Sequence, residues 1–192
     1  MIPLDDSARK RVLGVVGSPR RNGNTETLVD EVLAGAEEAG AFTEKVILNE
    51  LDISPCQACN TCQKTGECIQ RDDMPKLLEK MEQSQIWVLG TPVYWWGPTA
   101  QFKAFLDRWY SAQQVTFEGR YAILTISLGG GASFARHTVG MLTDVMNYLG
   151  IKLVATVIAP GATRLGAVRD RTDVMAAAHR AGREAVEMSL KR

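Results

Sequence analysis

Apolar and polar positions follow two rhythms along this chain, and the first 40 residues show both. Val12-Leu13-Gly14-Val15-Val16 is a β-branched apolar run too short for a helix, which predicts a buried strand. After a polar stretch, Leu28/Val29, Val32/Leu33, Ala36 and Ala39 recur at helical spacing, and Gly40 supplies the stop. The alternation then repeats. Thr43–Leu48 reads as a second strand, nearer a sheet edge because it carries charges, followed by strands at Ile86–Gly90, Tyr121–Ile126 and Lys152–Ile158. A helix is predicted over Met74–Met81, with Asp72 or Asp73 as N-cap and Pro75 in its first turn. Another carries Phe102, Phe105, Leu106 and Trp109 on one face. A third turns Leu142, Val145, Met146 and Leu149 inward and stops at Gly150. A last helix starts at a Thr172 or Asp173 cap and runs towards Leu190. Residues 1–10 look like a polar lead-in, and Leu51–Asp73 has no helical period.

Strands alternating with helices predict an α/β fold whose parallel sheet is covered on both faces. Ligands of such sheets sit beyond the carboxyl ends of the strands. The polar, aromatic and glycine-rich loops 18–25, 91–97 and 127–131 fall on that edge and define one site. No repeat or interdomain linker interrupts the pattern, so residues 1–192 read as one domain with a cysteine-rich insertion at about 52–73.

Composition narrows the function classes. Lys+Arg and Asp+Glu balance at 22 each, so nucleic acid gains no general attraction and is not an expected partner. No apolar run reaches membrane-spanning length, and Met1–Asp6 lacks the basic-then-apolar pattern of a signal peptide. A cytoplasmic location with reduced thiols is the expectation.

The stretch Gly17-Ser18-Pro19-Arg20-Arg21-Asn22-Gly23-Asn24-Thr25 lies between strand and helix and holds two arginines and no acid before Glu26. Free N–H groups of the helix's first turn point into such a loop, where the helix dipole favours an anion. Asn24 or Thr25 is expected to cap the helix. Ser18, Asn22 and Asn24 add donors, and Arg20 or Arg21 adds charge. No Lys-Ser or Lys-Thr closes the loop and GxGxxG is absent, which excludes the triphosphate P-loop and the dinucleotide fingerprint. A terminal phosphate such as that of FMN suits it. Pro92, Val93, Tyr94, Trp95, Trp96 and Gly97 would wall a flat ring. Gly129, Gly130 and Gly131 would let the main chain approach it without Cβ interference. Three adjacent aromatics cannot all face one way, so at least one is expected at a subunit interface.

Cys56-x2-Cys59-x2-Cys62-x5-Cys68 places all four thiols within thirteen residues. Three readings stand: an iron–sulfur cube with one thiolate per corner, a zinc ion, or free thiols. Structural zinc more often takes two pairs separated by a longer stretch. His137 and His179 lie on predicted helices and read as surface or interface residues, and no acid–base catalyst is nominated.

Taken together, these motifs resemble the flavodoxin-like NADPH-dependent FMN reductase superfamily, nearest its iron–sulfur flavoproteins. The resemblance is carried by the 17–25 loop, the compact cysteines and Asp72-Asp73-Met74. Thr91-Pro92-Val93-Tyr94-Trp95 and Ala100-Gln101-Phe102-Lys103-Ala104-Phe105-Leu106-Asp107-Arg108 complete it. It implies a three-layer flavodoxin-like fold with a five-stranded parallel sheet in the order 2-1-3-4-5. FMN would place its phosphate on Ser18, Pro19, Arg20, Asn22, Asn24 and Thr25, with its ring between the second and third loops. The cysteines would hold a 4Fe–4S cluster. The implied activity is electron transfer from ferredoxin or NAD(P)H to a small-molecule acceptor, in a homodimer or homotetramer. A cluster-free NAD(P)H-dependent FMN or quinone reductase is the enzymatic alternative, and a non-catalytic flavodoxin-like carrier the alternative from another class. Net charge zero argues against a carrier's acidic docking face.

Overall fold

A computed structural model describes residues 9–112 and 116–191. Of the polar lead-in expected at residues 1–10, all but the last two lie outside the described residues. The chain alternates β1 (Arg11–Val16), α1 (Asn24–Glu38), β2 (Phe42–Ile47), a short α2 (Thr61–Thr65), α3 (Met74–Gln83) and β3 (Ile86–Pro92). Then come α4 (Ala100–Asp107), β4 (Tyr121–Ser127), α5 (Arg136–Tyr148), β5 (Lys152–Ala159) and α6 (Thr172–Leu190). The sheet has five strands in the order β2-β1-β3-β4-β5, and every pairing is parallel. Charged β2 is an edge strand, as its composition predicts.

Successive side chains of a strand point to opposite faces, which splits the core into two layers. Val12, Val16, Ile86, Val88 and Ile123 pack under α1 and α6. Leu13, Val15, Trp87, Leu89 and Leu124 meet α3, α4 and α5 on the other face. There Trp109 packs against Phe105 and Phe117, with centroids 5.4 and 5.2 Å away, and Trp87 donates its indole N–H to Met81 O at 3.0 Å. Among the described residues no helix is long and apolar enough to cross a membrane.

Three local expectations are corrected. Gly23, in extended conformation, is the N-cap of α1, because the Asn24 side chain is engaged elsewhere and Thr25 lies within the helix. Arg171 takes the N-cap position of α6, and Thr172 is its first helical residue. The long connection Leu51–Asp73 is not wholly irregular, since it holds α2, one short turn between left-handed Asn60 and Gly66. For α3 the expectation holds in divided form. Asp73 occupies the N-cap position while the Asp72 carboxylate accepts from Met74 N–H at 3.1 Å.

Helices α1 and α6 touch through backbone. A Cβ on Gly35 would lie 2.0 Å from His179 O, and one on Gly182 would lie 2.0 Å from Val32 O. Beside this seam His179 bridges Glu31 and Glu38 at 2.8 and 2.7 Å.

Two glycine substitutions should therefore differ in sign. Gly182→Ala forces the helices apart and is expected to cost about 1–3 kcal/mol or more. Gly140→Ala places its Cβ in open space within α5 and should stabilise by about 0.5–1 kcal/mol. Denaturant midpoints of the two variants check this.

Candidate functional site

The connection from β1 to α1 runs along the carboxyl edge of the sheet. Gly17 N–H donates to Gly90 O at 2.7 Å, and a Cβ on Gly17 would meet the Phe102 ring at 2.6 Å, so the turn lies flat on β3 and α4. Ser18 Oγ accepts from Arg20 N–H at 3.2 Å. Asn22 turns left-handed (φ 54°), a conformation asparagine tolerates, and its N–H meets Glu26 Oε2 at 2.5 Å. Burial works against the Glu26 carboxylate, yet Lys45 and the Asn22 N–H hold its pKa below the usual range. Glu26 is thus neutralised from the β2 side. The first-turn N–H groups of a helix have no acceptor within it, and the N-terminus of α1 lies at this edge.

A cleft of about 300 Å³ opens there, lined by Ser18, Arg20, Asn24, Thr25, Pro92, Val93, Tyr94, Ser127, Leu128, Gly129, Ala162 and Thr163. All three predicted loops contribute to it. A fourth wall, Ala162 and Thr163, was not foreseen. It is attached by Asn24, whose amide nitrogen donates to Ala162 O (3.0 Å) and Arg164 O (2.9 Å) while its oxygen accepts from Val168 N–H. Asn24 therefore lines the cleft while its amide is engaged with the 162–168 backbone. Thr25 Oγ1 and Ser127 Oγ lie 2.8 Å apart and tie α1 to the end of β4. The two arginines part company. Arg21 pairs with Glu50 at 2.5 Å, whereas Arg20 lines the cleft with no carboxylate bonded to it among the described residues. Pro19 and Asn22 belong to the loop but not to the cleft lining.

The aromatic loop folds into a tight hairpin. Tyr94 N–H donates to Gly97 O at 2.8 Å and Gly97 N–H to Tyr94 O at 3.0 Å, with Trp95 (φ 50°) and Trp96 (φ 64°) as the two turn residues. Two consecutive positive φ values make a type I′ turn, the province of Asn and Gly, so two tryptophans here are strained. Trp95 is 92% exposed. Trp96 packs edge-on to Phe134, with centroids 6.0 Å apart, and its carbonyl accepts from the Thr138 hydroxyl at 2.9 Å. With Val93, Leu128, Gly129 and Gly130 these rings line an apolar groove beside the cleft. Gly130 owes its identity to Phe134, whose ring lies 2.3 Å from where its Cβ would be. Gly129 borders both spaces, while Gly131 starts the turn that carries Phe134. Phe134 is a further residue that sequence reasoning missed.

The cysteine loop forms a second site. Its neck is closed by Asp52 N–H to Asp73 Oδ2 and Asp73 N–H to Asp52 O, both 2.9 Å. Cys56, Cys59, Cys62 and Cys68 all line one pocket with Arg108, Tyr110 and Ser111. The Thr61 hydroxyl and N–H hold the Cys59 thiol pKa below its ordinary value. Among the described residues no three metal-binding side chains converge on one ion. A single zinc would require that convergence, whereas a cubane asks for thiolates spread around a space, one per iron. Burial opposes ionisation of Asp72, yet Arg108 and the N–H groups of Met74 and Ser54 keep its pKa low. Both predicted histidines are on helices: His137 is exposed, and His179 is in the α1–α6 seam, away from either site.

Residues 10–163 match the family described as NADPH-dependent FMN reductase. An iron–sulfur flavoprotein of Archaeoglobus fulgidus is 36% identical over 151 residues, covering 78% of this chain and 65% of that one. An iron–sulfur flavoprotein of Methanocaldococcus jannaschii is 42% identical over 98 residues, 51% of each. The chain thus spans between half and two thirds of the length of these relatives. The solved NAD(P)H:quinone oxidoreductase of Methanothermobacter marburgensis shares the fold, with a TM-score of 0.74 at 21% identity over 92% of this chain and 98% of that one.

Relieving the turn strain gives a direct test of its geometry. Trp95→Asn should raise stability by up to about 1 kcal/mol, since asparagine bears a left-handed φ more easily and Trp95 buries little. Thermal denaturation reads it, and a loss of stability would contradict the turn assignment.

Proposed function

The chain belongs to the NADPH-dependent FMN reductase family, and from that premise we propose that it is an FMN-dependent oxidoreductase carrying electrons from a reduced donor to a small acceptor. One observation carries the reading: Arg20, which has no bonded carboxylate among the described residues, and the N-terminus of α1 share a cleft with the β3 and β4 loops. FMN, when bound, supplies electron and hydride transfer at its ring. The chain's own groups do the rest. Arg20, Ser18 and the first-turn N–H groups of α1 bind the phosphate, with Thr25 held in place by Ser127. Pro92, Val93, Tyr94, Leu128 and Gly129, which line the same cleft, would hold the ring. Trp95, Trp96 and Phe134 keep water from the open side or meet a second subunit of a homodimer or homotetramer.

Cys56, Cys59, Cys62 and Cys68 are proposed to hold a 4Fe–4S cluster, which would pass single electrons to or from the flavin. Their common pocket and the iron–sulfur flavoprotein relatives support this. Ferredoxin and NAD(P)H are the candidate donors and the cytoplasm is the proposed setting. A cluster-free reduction of flavin or quinone by NAD(P)H is the second reading, supported by the match to the NADPH-dependent FMN reductase family.

An anaerobic absorbance spectrum with an iron assay separates these readings. The first expects flavin bands and about four irons per chain. Flavin without iron, bleached rapidly by NADPH, establishes the second. A colourless chain refutes both. Arg20→Ala is expected to weaken FMN binding by about 1–3 kcal/mol in a fluorescence titration, and an unchanged affinity removes Arg20 from the phosphate site.

A further inference from the structure

Arg108 follows the last residue of α4 and is the most deeply buried cation described, 1% exposed at its side chain, against Asp72 at 4%. Withdrawing both charges from water is costly, and an apolar pair would pack the same space without that penalty. The directions of its bonds suggest why the charges stay. One terminal nitrogen donates to Asp72 Oδ2 and to Ser54 O at 2.9 Å. The other donates to Asp72 Oδ1 at 3.1 Å and to Cys68 Sγ at 3.4 Å. Nε is buried with no partner among the described residues. Asp72 in turn accepts from Ser54 N–H and Met74 N–H, both at 3.1 Å. The two ends of the cysteine loop therefore clamp the carboxylate, the carboxylate orients the guanidinium, and the guanidinium reaches a sulfur of the four-cysteine pocket.

We infer that Arg108 and Asp72 are a pair of positioning residues that set the reduction potential of a cluster bound by the four cysteines. The inference rests on the cluster reading above. One electron taken up by the cluster adds one negative charge, shared with the ligating sulfurs. A fixed cation donating an N–H to Cys68 Sγ stabilises that reduced state and raises the midpoint potential. Asp72 supplies the opposing charge one group further from the sulfur. Removing either partner therefore moves the potential in opposite directions. A purely structural pair, whose loss merely loosens the loop, would not produce opposite signs.

The test uses the anaerobically purified holoprotein in a potentiometric titration with dithionite, reading the reduced cluster by electron paramagnetic resonance and iron content beforehand. Arg108→Gln should make reduction about tenfold less favourable, a fall of about 59 mV for one electron, and Asp72→Asn should raise the potential. Arg108→Lys, which keeps the charge and loses the fork, should lie between Arg108→Gln and the parent protein. Equal potentials in all proteins, or shifts of one sign for both Gln and Asn variants, overturn the inference. Should Arg108→Gln not retain its cluster, Asp72→Asn decides alone: a potential at or below that of the parent overturns it. A parent protein without iron refutes the cluster reading itself, and the iron assay reports that before any potential is measured.

Discussion

The close seating of α1 on the sheet governs the rest of the molecule. At Gly14 a Cβ would lie 2.8 Å from the Val29 side chain, and at Gly90 one would lie 2.5 Å from it and 2.8 Å from Thr125 Oγ1. Only glycine at these two strand positions lets the helix approach so near. The consequence is directional. Strands β1 and β3 are neighbours where the strand order reverses, and α1 emerges from that switch point with its N-terminus over the crevice. Thr25 can then reach Ser127, and Asn24 can hold the 162–168 backbone. A helix standing one methyl group farther out would break each of these contacts together.

Helix α4 connects the two candidate sites. Its N-cap Thr99 donates to Gly17 O, at the root of the phosphate loop, and accepts from Phe102 N–H at 3.2 Å. Just past its other end Arg108 enters the cysteine loop. Eight helical residues span about 12 Å, so the two ends are held at a short, fixed separation by a helix buried along one face. Phe102 and Phe105 anchor that helix in the core, and each is fully buried. Rigid elements hold a site more exactly than loops do, and both sites are fastened to the same one.

Left-handed backbone at residues other than glycine falls at both sites, at Ala58 and Asn60 in the cysteine loop and at Trp95 and Trp96 at the mouth of the cleft. Left-handed Trp95 and Trp96 each cost on the order of 1–3 kcal/mol, an appreciable share of the roughly 5–15 kcal/mol by which a domain is stable. The hairpin bonds to Gly97, the Phe134 ring and the Thr138 hydroxyl hold the turn in place.

Local pattern was enough for much of this. The apolar runs and helical spacings specified the five strands, their parallel arrangement, the charged edge strand and the edge on which the loops gather. Strand and helix periods are written within a few residues, and the carboxyl-edge rule then follows from parallel connection. The cysteine spacing kept four thiols within thirteen residues, and the fold then lined one pocket with them. Tertiary structure decided which polar group answers to which partner. Arg21 is taken by Glu50, which leaves Arg20 in the cleft, and Asn24 is taken by carbonyls more than a hundred residues away. Gly130 serves Phe134, and the Asp72–Arg108 pair turns towards Cys68. Hydrogen bonds and ion pairs form between whichever groups the packed core brings within about 3 Å of each other. Neighbours in the sequence carry no record of that.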